Sequence, residues 1–413
     1  MAAPDPDPPA DVPSAAPDES PRGRVPDAAP GHDRDRDRGG DRDRDRDRDR
    51  DRDRESDDPD VLAAQLAADL ARAAAQPPKK RRWWAWPARL AVSAVMLWYL
   101  VKKIADVSFA ELVPTWSATT FVWMGVALAL TLFSVVLSAA RWQQVLLGMD
   151  LRVPFRRLLS HYFAGQFVSN VLPTTIGGDV LRVSRVTADT GDSADSFASV
   201  VIERLTGWLV LPLLTFIGFA LNPGLRDLGS SGDGVGASRL AFMIAVGTVV
   251  ALFAILFVAN HPRLGGRFAS RGGWRRFIGA VHLGVIRLRR HHLAAARVVG
   301  AGLVYQFVIV LAAAAAAASL GIADTASLTV LLAFIPAVLM LQVLPIGIAG
   351  LGVREGALVL FLSPLGVSKA DAVALGLLLF GLNLVASLAG APAFLAGAPR
   401  DGTPQGAQAE ATA

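Results

Sequence analysis

The chain of 413 residues contains no cysteine. A disulfide framework, a thiolate nucleophile, a Cys-ligated zinc and an iron–sulfur cluster are therefore all excluded. No HExxH, Walker loop, nucleophile elbow or dinucleotide fingerprint stands in a supporting context. His291 and His292 are adjacent in a basic stretch and lack the spacing of a metal pair. No metal, cofactor or catalytic residue is expected. Charge is also missing where a soluble domain would need it. Mean hydropathy is +0.40 although 19% of residues are charged, so charged and apolar residues are segregated along the chain. Residues 1–60 hold 12 Arg and 20 acidic residues, a net of −8, whereas residues 61–413 hold 29 basic and 16 acidic residues, a net of +13.

The segment 1–82 reads as a disordered Asp/Arg-rich tail with a basic patch at its end. Asp and Arg alternate from Asp33 to Arg54, and such a stretch has too little apolar surface to offset the entropy of ordering. Its signs cancel locally, which argues against nucleic acid as a partner. Val61–Ala75 is Ala-rich enough for a helix. Lys79, Lys80, Arg81 and Arg82 then precede Trp83, Trp84 and Trp86 and the apolar run Leu90–Val101. A basic patch, an aromatic belt and an apolar helix in that order predict a cytoplasmic N-terminus and a first span in the inner (plasma) membrane. Roughly 80 residues precede that run and no small-residue cleavage site follows it, so it does not read as a cleavable signal peptide.

Apolar windows near the roughly 20 residues needed to cross a bilayer fall at 88–104, 119–140, 198–220, 238–259, 298–320 and 370–397. Two further segments, 158–182 and 327–354, are apolar but interrupted by Pro and Gly. Arg141, Arg152, Arg156 and Arg157, and nine Arg in 261–297, place those two stretches on the cytoplasmic side. The stretch 221–239 has only Arg226 and Arg239 against Asp227 and Asp233, and falls outside. Lys102 and Lys103, at the outer end of the first span, run against that assignment. With this orientation 158–182 must enter and leave on one side, as a re-entrant hairpin packed in protein or lining a wet cavity. The fold expected for 83–397 is an all-α polytopic membrane protein of about six full spans and two re-entrant hairpins; eight conventional spans is the alternative. Residues 398–413 read as a second disordered tail.

The two interrupted segments are alike. Val171–Arg182 aligns with Val343–Arg354 at six of twelve positions, an offset of 172 residues that also places Asn170 over Gln342. The first unit's span starts outside and the second's inside, which is the pattern of an inverted repeat with discontinuous helices. The candidate substrate-binding residues follow from it. Asn170, Pro173, Gly177, Gly178, Asp179, Arg182 and Arg185 form the first set: Pro173 ends a helix, the Gly pair permits close backbone approach, and two Arg three apart share a helical face, together suiting a phosphate. A capped loop with Asp179 at the helix start and two orienting arginines is the competing account. Glu203 and Arg204, with Gln166 and His161 nearby, form the second set, read either as a structural pair or as a substrate contact. Gly350, Gly352, Arg354 and Glu355 form the third; its two charges interrupt a charge-free stretch from Thr325 to Ser368.

Asn170-Val171-Leu172-Pro173 with Ile176-Gly177-Gly178-Asp179 and Arg182, the triplet Glu203-Arg204-Leu205, and Gly352-Val353-Arg354-Glu355-Gly356 resemble the lysylphosphatidylglycerol synthase transmembrane region, also called the flippase-like domain family. The resemblance covers roughly residues 88–397. It implies a bacterial or archaeal membrane domain that moves an anionic, aminoacylated or polyprenyl-linked lipid between leaflets. Full-length synthases of that kind carry a soluble aminoacyl-transfer domain after their spans, whereas about 16 residues follow Gly397 here; this chain is not expected to make the lysyl lipid itself. The reading favours a transporter over an enzyme. Two alternatives stand beside it: an integral-membrane glycosyl- or aminoacyl-type transferase acting on a lipid phosphate, with Asp179 or Glu203 as general base, and a membrane anchor for a separate soluble lipid-modifying enzyme.

Overall fold

A computed structural model describes residues 59–75, 95, 98, 116–171, 177–227, 236–261, 274–289, 292–342 and 350–397. Residues 1–58 and 76–82 of the expected tail at 1–82, the expected tail at 398–413, all of the first span at 88–104 but residues 95 and 98, and Pro173 lie outside these. Among the described residues the fold is all-helical. Its helices are α1 (Pro59–Ala75), α2 (Ala118–Gly148), α3 (Phe155–Val171), α4 (Gly177–Thr190), α5 (Ser193–Leu221), α6 (Ala237–Asn260), α7 (Trp274–Arg289), α8 (His292–Ser319), α9 (Leu328–Leu341), α10 (Val353–Leu362), α11 (Lys369–Leu388) and α12 (Ala391–Leu395). Five of them, α2, α5, α6, α8 and α11, are long and apolar enough to cross a bilayer. The protein is a multi-pass membrane protein.

Local sequence explains where these helices begin. Ser117 caps α2 by accepting from the Thr120 N–H at 3.1 Å, Asp192 caps α5 by accepting from Ala194 and Asp195 at 2.9 Å each, and Ser368 caps α11 by accepting from Asp371 at 3.0 Å. α6 buries little of itself; Phe242, Val250, Phe253 and Phe257 are all exposed. On a water-soluble protein such a face would invite association, and on a spanning helix it is the surface that lipid covers. α1 is the helix that Ala-rich Val61–Ala75 was expected to form. It is tied down by Leu62 and Leu66, both fully buried, and by Asp60, which accepts from Arg287 of α7 at 2.8 Å.

The two interrupted segments hold helical hairpins, α3–α4 and α9–α10. The members of each hairpin pack on one another. In the first, a Cβ on Gly178 would fall 2.2 Å from the Gly165 carbonyl oxygen, so the pair crosses at backbone contact and only glycine fits. The offset of 172 residues then carries α2, α3, α4 and α5 onto α8, α9, α10 and α11 in order, within a few residues at each end. Packing obeys the same exchange: α5 lies on α9 as α11 lies on α3, and α4 on α5 as α10 on α11. Gly218 of α5 sits where a Cβ would meet the Ala333 nitrogen at 2.3 Å, and Gly390, its equivalent by the offset, sits where one would meet the Phe163 carbonyl oxygen at 2.0 Å.

The equivalent helices α2 and α8 pack side by side and antiparallel. Gly148, at the end of α2, lies against Ala294 near the start of α8, and Arg141 lies against Gly302 further along. A two-fold axis that reverses two spanning helices must be perpendicular to them, in the membrane plane. The repeat is inverted. Two apolar cores form above and below its centre: Trp142, Val145, Ala198 and Ile202 belong to one, Ala127, Val210, Leu214 and Phe334 to the other. Between them α2 and α5 carry their polar residues, which opens the interior to chemistry.

Candidate functional site

The polar layer starts from a stripe on α2. Thr131, Ser134, Ser138 and Arg141 are spaced at three, four and three residues, so they share one helical face, and all four are buried. Thr131 and Ser134 satisfy their hydroxyls on carbonyls of their own helix at 2.8 and 2.7 Å. Ser138 pairs with the Tyr162 hydroxyl at 2.6 Å. Arg141 reaches across to Glu203 of α5.

Glu203 is the hub. Its side chain is 2% exposed and accepts from two guanidinium groups, Arg141 through Oε1 and Arg182 of α4 at 3.1 Å through Oε2. A carboxylate this deep is tolerated because both oxygens meet charged donors. Arg182 is further enclosed by the rings of Trp142 at 4.2 Å and Tyr162 at 4.4 Å, an arrangement in which the ring faces attract the cation. Arg204, next to Glu203 in sequence, pairs elsewhere: it binds Asp179 at 2.6 Å, and Arg182 lies 3.6 Å from the same carboxylate. Glu203 and Arg204 thus belong to crossed pairs that join α2, α4 and α5. Asp179 sits inside the first turn of α4, where its charge also suits the helix dipole.

Arg185 does not join this cluster. It donates to the carbonyl oxygens of Ala393 and Phe394 at 3.0 and 3.5 Å, tying α4 to α12. His161 is likewise apart, hydrogen-bonded to Asp189 at 2.8 Å, with Arg157 on the other oxygen at 3.2 Å. In the second repeat Gly350 and Gly352 adopt φ of 74° and 86°, left-handed conformations that favour glycine, and turn the chain into α10. Glu355 closes that turn by accepting from the Gly352 N–H at 2.5 Å. Its other oxygen meets the Arg354 Nε at 3.4 Å. Arg354 is 6% exposed, and its Nη2 has no partner among the described residues.

Two adjoining cavities surround these charges. One, of about 280 Å³, is bounded by Arg141, Asp179, Arg182, Glu203 and Arg204, with Gln306 from the other repeat. The other, of about 220 Å³, is bounded by Arg354, Gln342 and Asn383, with Thr131, Ser134 and Asn170 from the first repeat. The exchange that relates the repeats turns Arg182 into Arg354, and so relates the cavities. Tyr162, Gln166, Tyr305, Ile309 and Leu339 border both. Asn170 and Gln342, equivalent by the offset, close the ends of α3 and α9 on the same cavity. Asn383 donates to the Leu379 carbonyl at 2.9 Å, while the Asn170 Nδ2 and Gln306 Oε1 have no partner among the described residues.

The structure therefore brings Asn170, Gly178, Asp179, Arg182, Glu203, Arg204 and Arg354 to the cavity walls, places Gly177, Gly350, Gly352 and Glu355 in the supporting turns, and takes Arg185 away to α12. Sequence reading passed over Arg141, Tyr162 and Tyr305. The charge pattern groups Arg141 with the cytoplasmic arginines, yet it lies within α2 and is 4% exposed; the Thr131, Ser134, Ser138 spacing that leads to it is the signal in the sequence. The tyrosines carried no such signal: of three in the chain, two meet at the repeat interface only through tertiary packing. Among the described residues, no cluster of His, Asp or Glu has the makings of a metal site. No curated protein and no solved structure matches the chain. The hairpins and the buried charge cluster lie within one family match: residues 86–390 match the model of the lysylphosphatidylglycerol synthase TM region, and the chain belongs to that family.

Proposed function

We propose that this protein moves a lipid between leaflets, passing an anionic or aminoacylated headgroup, on a glycerophospholipid or polyprenyl carrier, through the polar layer between the repeats. One observation carries the reading: two symmetry-related cavities, one beside Arg182 and one beside Arg354, adjoin at the centre of an inverted repeat. A headgroup needs polar contacts throughout the hydrocarbon region, because unpaired polar groups there are costly. The two cavities supply them in sequence, and rocking one repeat against the other would open each in turn. The arginine-rich flanks support an orientation with the Arg182 cavity toward the cytoplasm of an inner membrane and the Arg354 cavity toward the outside. Catalysis with Asp179 or Glu203 as general base fits less well, since both carboxylates are already taken by guanidinium groups.

The test is translocation of fluorescent-headgroup lipids in proteoliposomes. Wild type should move at least one anionic lipid, and Arg354→Ala should lose that activity at unchanged expression. A wild-type rate equal to that of protein-free vesicles over the whole lipid panel would refute the reading. Lipid chemically altered by purified protein in detergent, where leaflets do not exist, would establish an enzyme instead.

A further inference from the structure

Helix α6 opens on Gly236-Ala237-Ser238-Arg239, and Gly236 offers no side chain to cap it. The Leu240 N–H donates to the Gly236 carbonyl at 2.9 Å. The N–H groups of Ala237, Ser238 and Arg239 precede that bond and need partners from outside the helix. Such an end, with its positive dipole, favours an anion. Two side chains of the same turn add to it. Arg239 is exposed and is the only charged residue of α6. Ser238 is 3% exposed, and its hydroxyl has no hydrogen-bond partner among the described residues. A buried hydroxyl left unpaired is costly, and one ligand oxygen would satisfy it.

Ser238 and Arg239 border a cavity of about 750 Å³ whose other walls are Phe216 and Phe219 of α5 and Phe242 of α6. The rings of Phe216 and Phe242 lie 5.4 Å apart. None of these five residues borders the cavities between the repeats. Below the cavity one face continues down α6. Arg239, Phe242, Val246, Val250, Phe253 and Phe257 follow at intervals of three, four, four, three and four residues, and all are exposed, whereas Ala241, Ala245 and Leu252 are buried. A cationic helix end, an aromatic cavity beside it and an apolar track below it match an amphiphile lying along the helix. A soluble phosphate would use only the first of the three.

We propose that the α5–α6 groove binds one anionic phospholipid of the surrounding bilayer, with its phosphate on the α6 N-terminus, Ser238 and Arg239 and an acyl chain against Phe216, Phe219 and Phe242. The site is separate from the headgroup path, so it stands or falls without the transport reading.

The chain has no cysteine, so a single fluorescent label can report the site. Val246→Cys carries it on the α6 track, and Val126→Cys on α2 is the control. Both positions are exposed. Val126 adjoins Ala127, which shares a core with Ala237 and Ala241, and residues 116–140 carry no charge. The full chain is reconstituted in phosphatidylcholine vesicles with a minor fraction of spin-labelled lipid. Spin-labelled phosphatidylglycerol should quench the Val246 position at about one fifth of the fraction needed at Val126, the preference that one arginine at a lipid surface supplies. Spin-labelled phosphatidylcholine should quench both alike. Arg239→Gln, a change at an exposed position, should remove the preference, Arg239→Lys should keep it, and Ser238→Ala should weaken it. Equal phosphatidylglycerol quenching at the two positions, or a preference that survives Arg239→Gln, would overturn the proposal. Glycerol phosphate in the buffer should leave the preference unchanged; its loss would show a soluble phosphate in the site and overturn the lipid assignment.

Discussion

Glu203→Gln isolates the buried charge cluster with little change of shape. The amide occupies the carboxylate's volume but leaves Arg141, 4% exposed, without a countercharge, and Arg182, 5% exposed, with only Asp179 at 3.6 Å. Each lost charge-assisted hydrogen bond is worth about 1.5–3 kcal/mol. Breaking a buried pair by removing one partner costs about 3–5 kcal/mol, because the orphaned ion stays desolvated. Against a total stability on the order of 5–15 kcal/mol, this should lower the thermal midpoint by many degrees. Arg204→Ala is the internal comparison. Its side chain is 53% exposed, and losing an exposed pair costs about 0–1 kcal/mol. Adding Arg141→Met to Glu203→Gln removes one orphaned cation and should restore part of the loss, which a double-mutant cycle would read as coupling. Intrinsic tryptophan fluorescence of detergent-solubilised protein during heating is a suitable assay. A Glu203→Gln midpoint no lower than that of Arg204→Ala would refute the view that Glu203 holds this layer together.

Two further expectations concern the inverted repeat. Because the chain has no cysteine, Gly148→Cys with Ala294→Cys forms a clean cross-linking pair. A Cβ at Gly148 would lie 3.3 Å from that of Ala294, close to disulfide geometry, so oxidation should produce an intrachain cross-link. Its absence under conditions that oxidise exposed control pairs would argue against antiparallel α2 and α8. At the symmetric close approaches, Gly218→Ala and Gly390→Ala should each destabilise by about 1–3 kcal/mol through overpacking. Gly125→Ala and Gly247→Ala, with open space around the added methyl, should be neutral or stabilising by up to about 1 kcal/mol. Similar melting of all four variants would contradict the packing.

Much of the fold was legible because a bilayer imposes a simple rule on sequence: a spanning helix needs a long apolar run, and its flanking arginines report orientation. The windows at 119–140, 198–220, 238–259 and 298–320 lie within α2, α5, α6 and, but for its last residue, α8; the helices exceed most of those windows because their ends continue through polar residues such as Arg141 and Asp195. The repeat was visible in Val171–Arg182 and Val343–Arg354, where Pro and Gly mark the same break twice. The amphipathic helix α7 was hidden inside what read as a basic loop, since its arginines dominate its composition. Which charges pair was not legible. Glu203 and Arg204 are adjacent, but successive residues on a helix point about 100° apart, so each meets a different helix. Local apolar runs and turn chemistry determined the spans and the duplicated hairpins. Only the tertiary structure decided that Arg141, Arg182 and Glu203 share one buried network while Arg354 pairs with its neighbour Glu355, because that depends on which helices the two-fold exchange brings face to face.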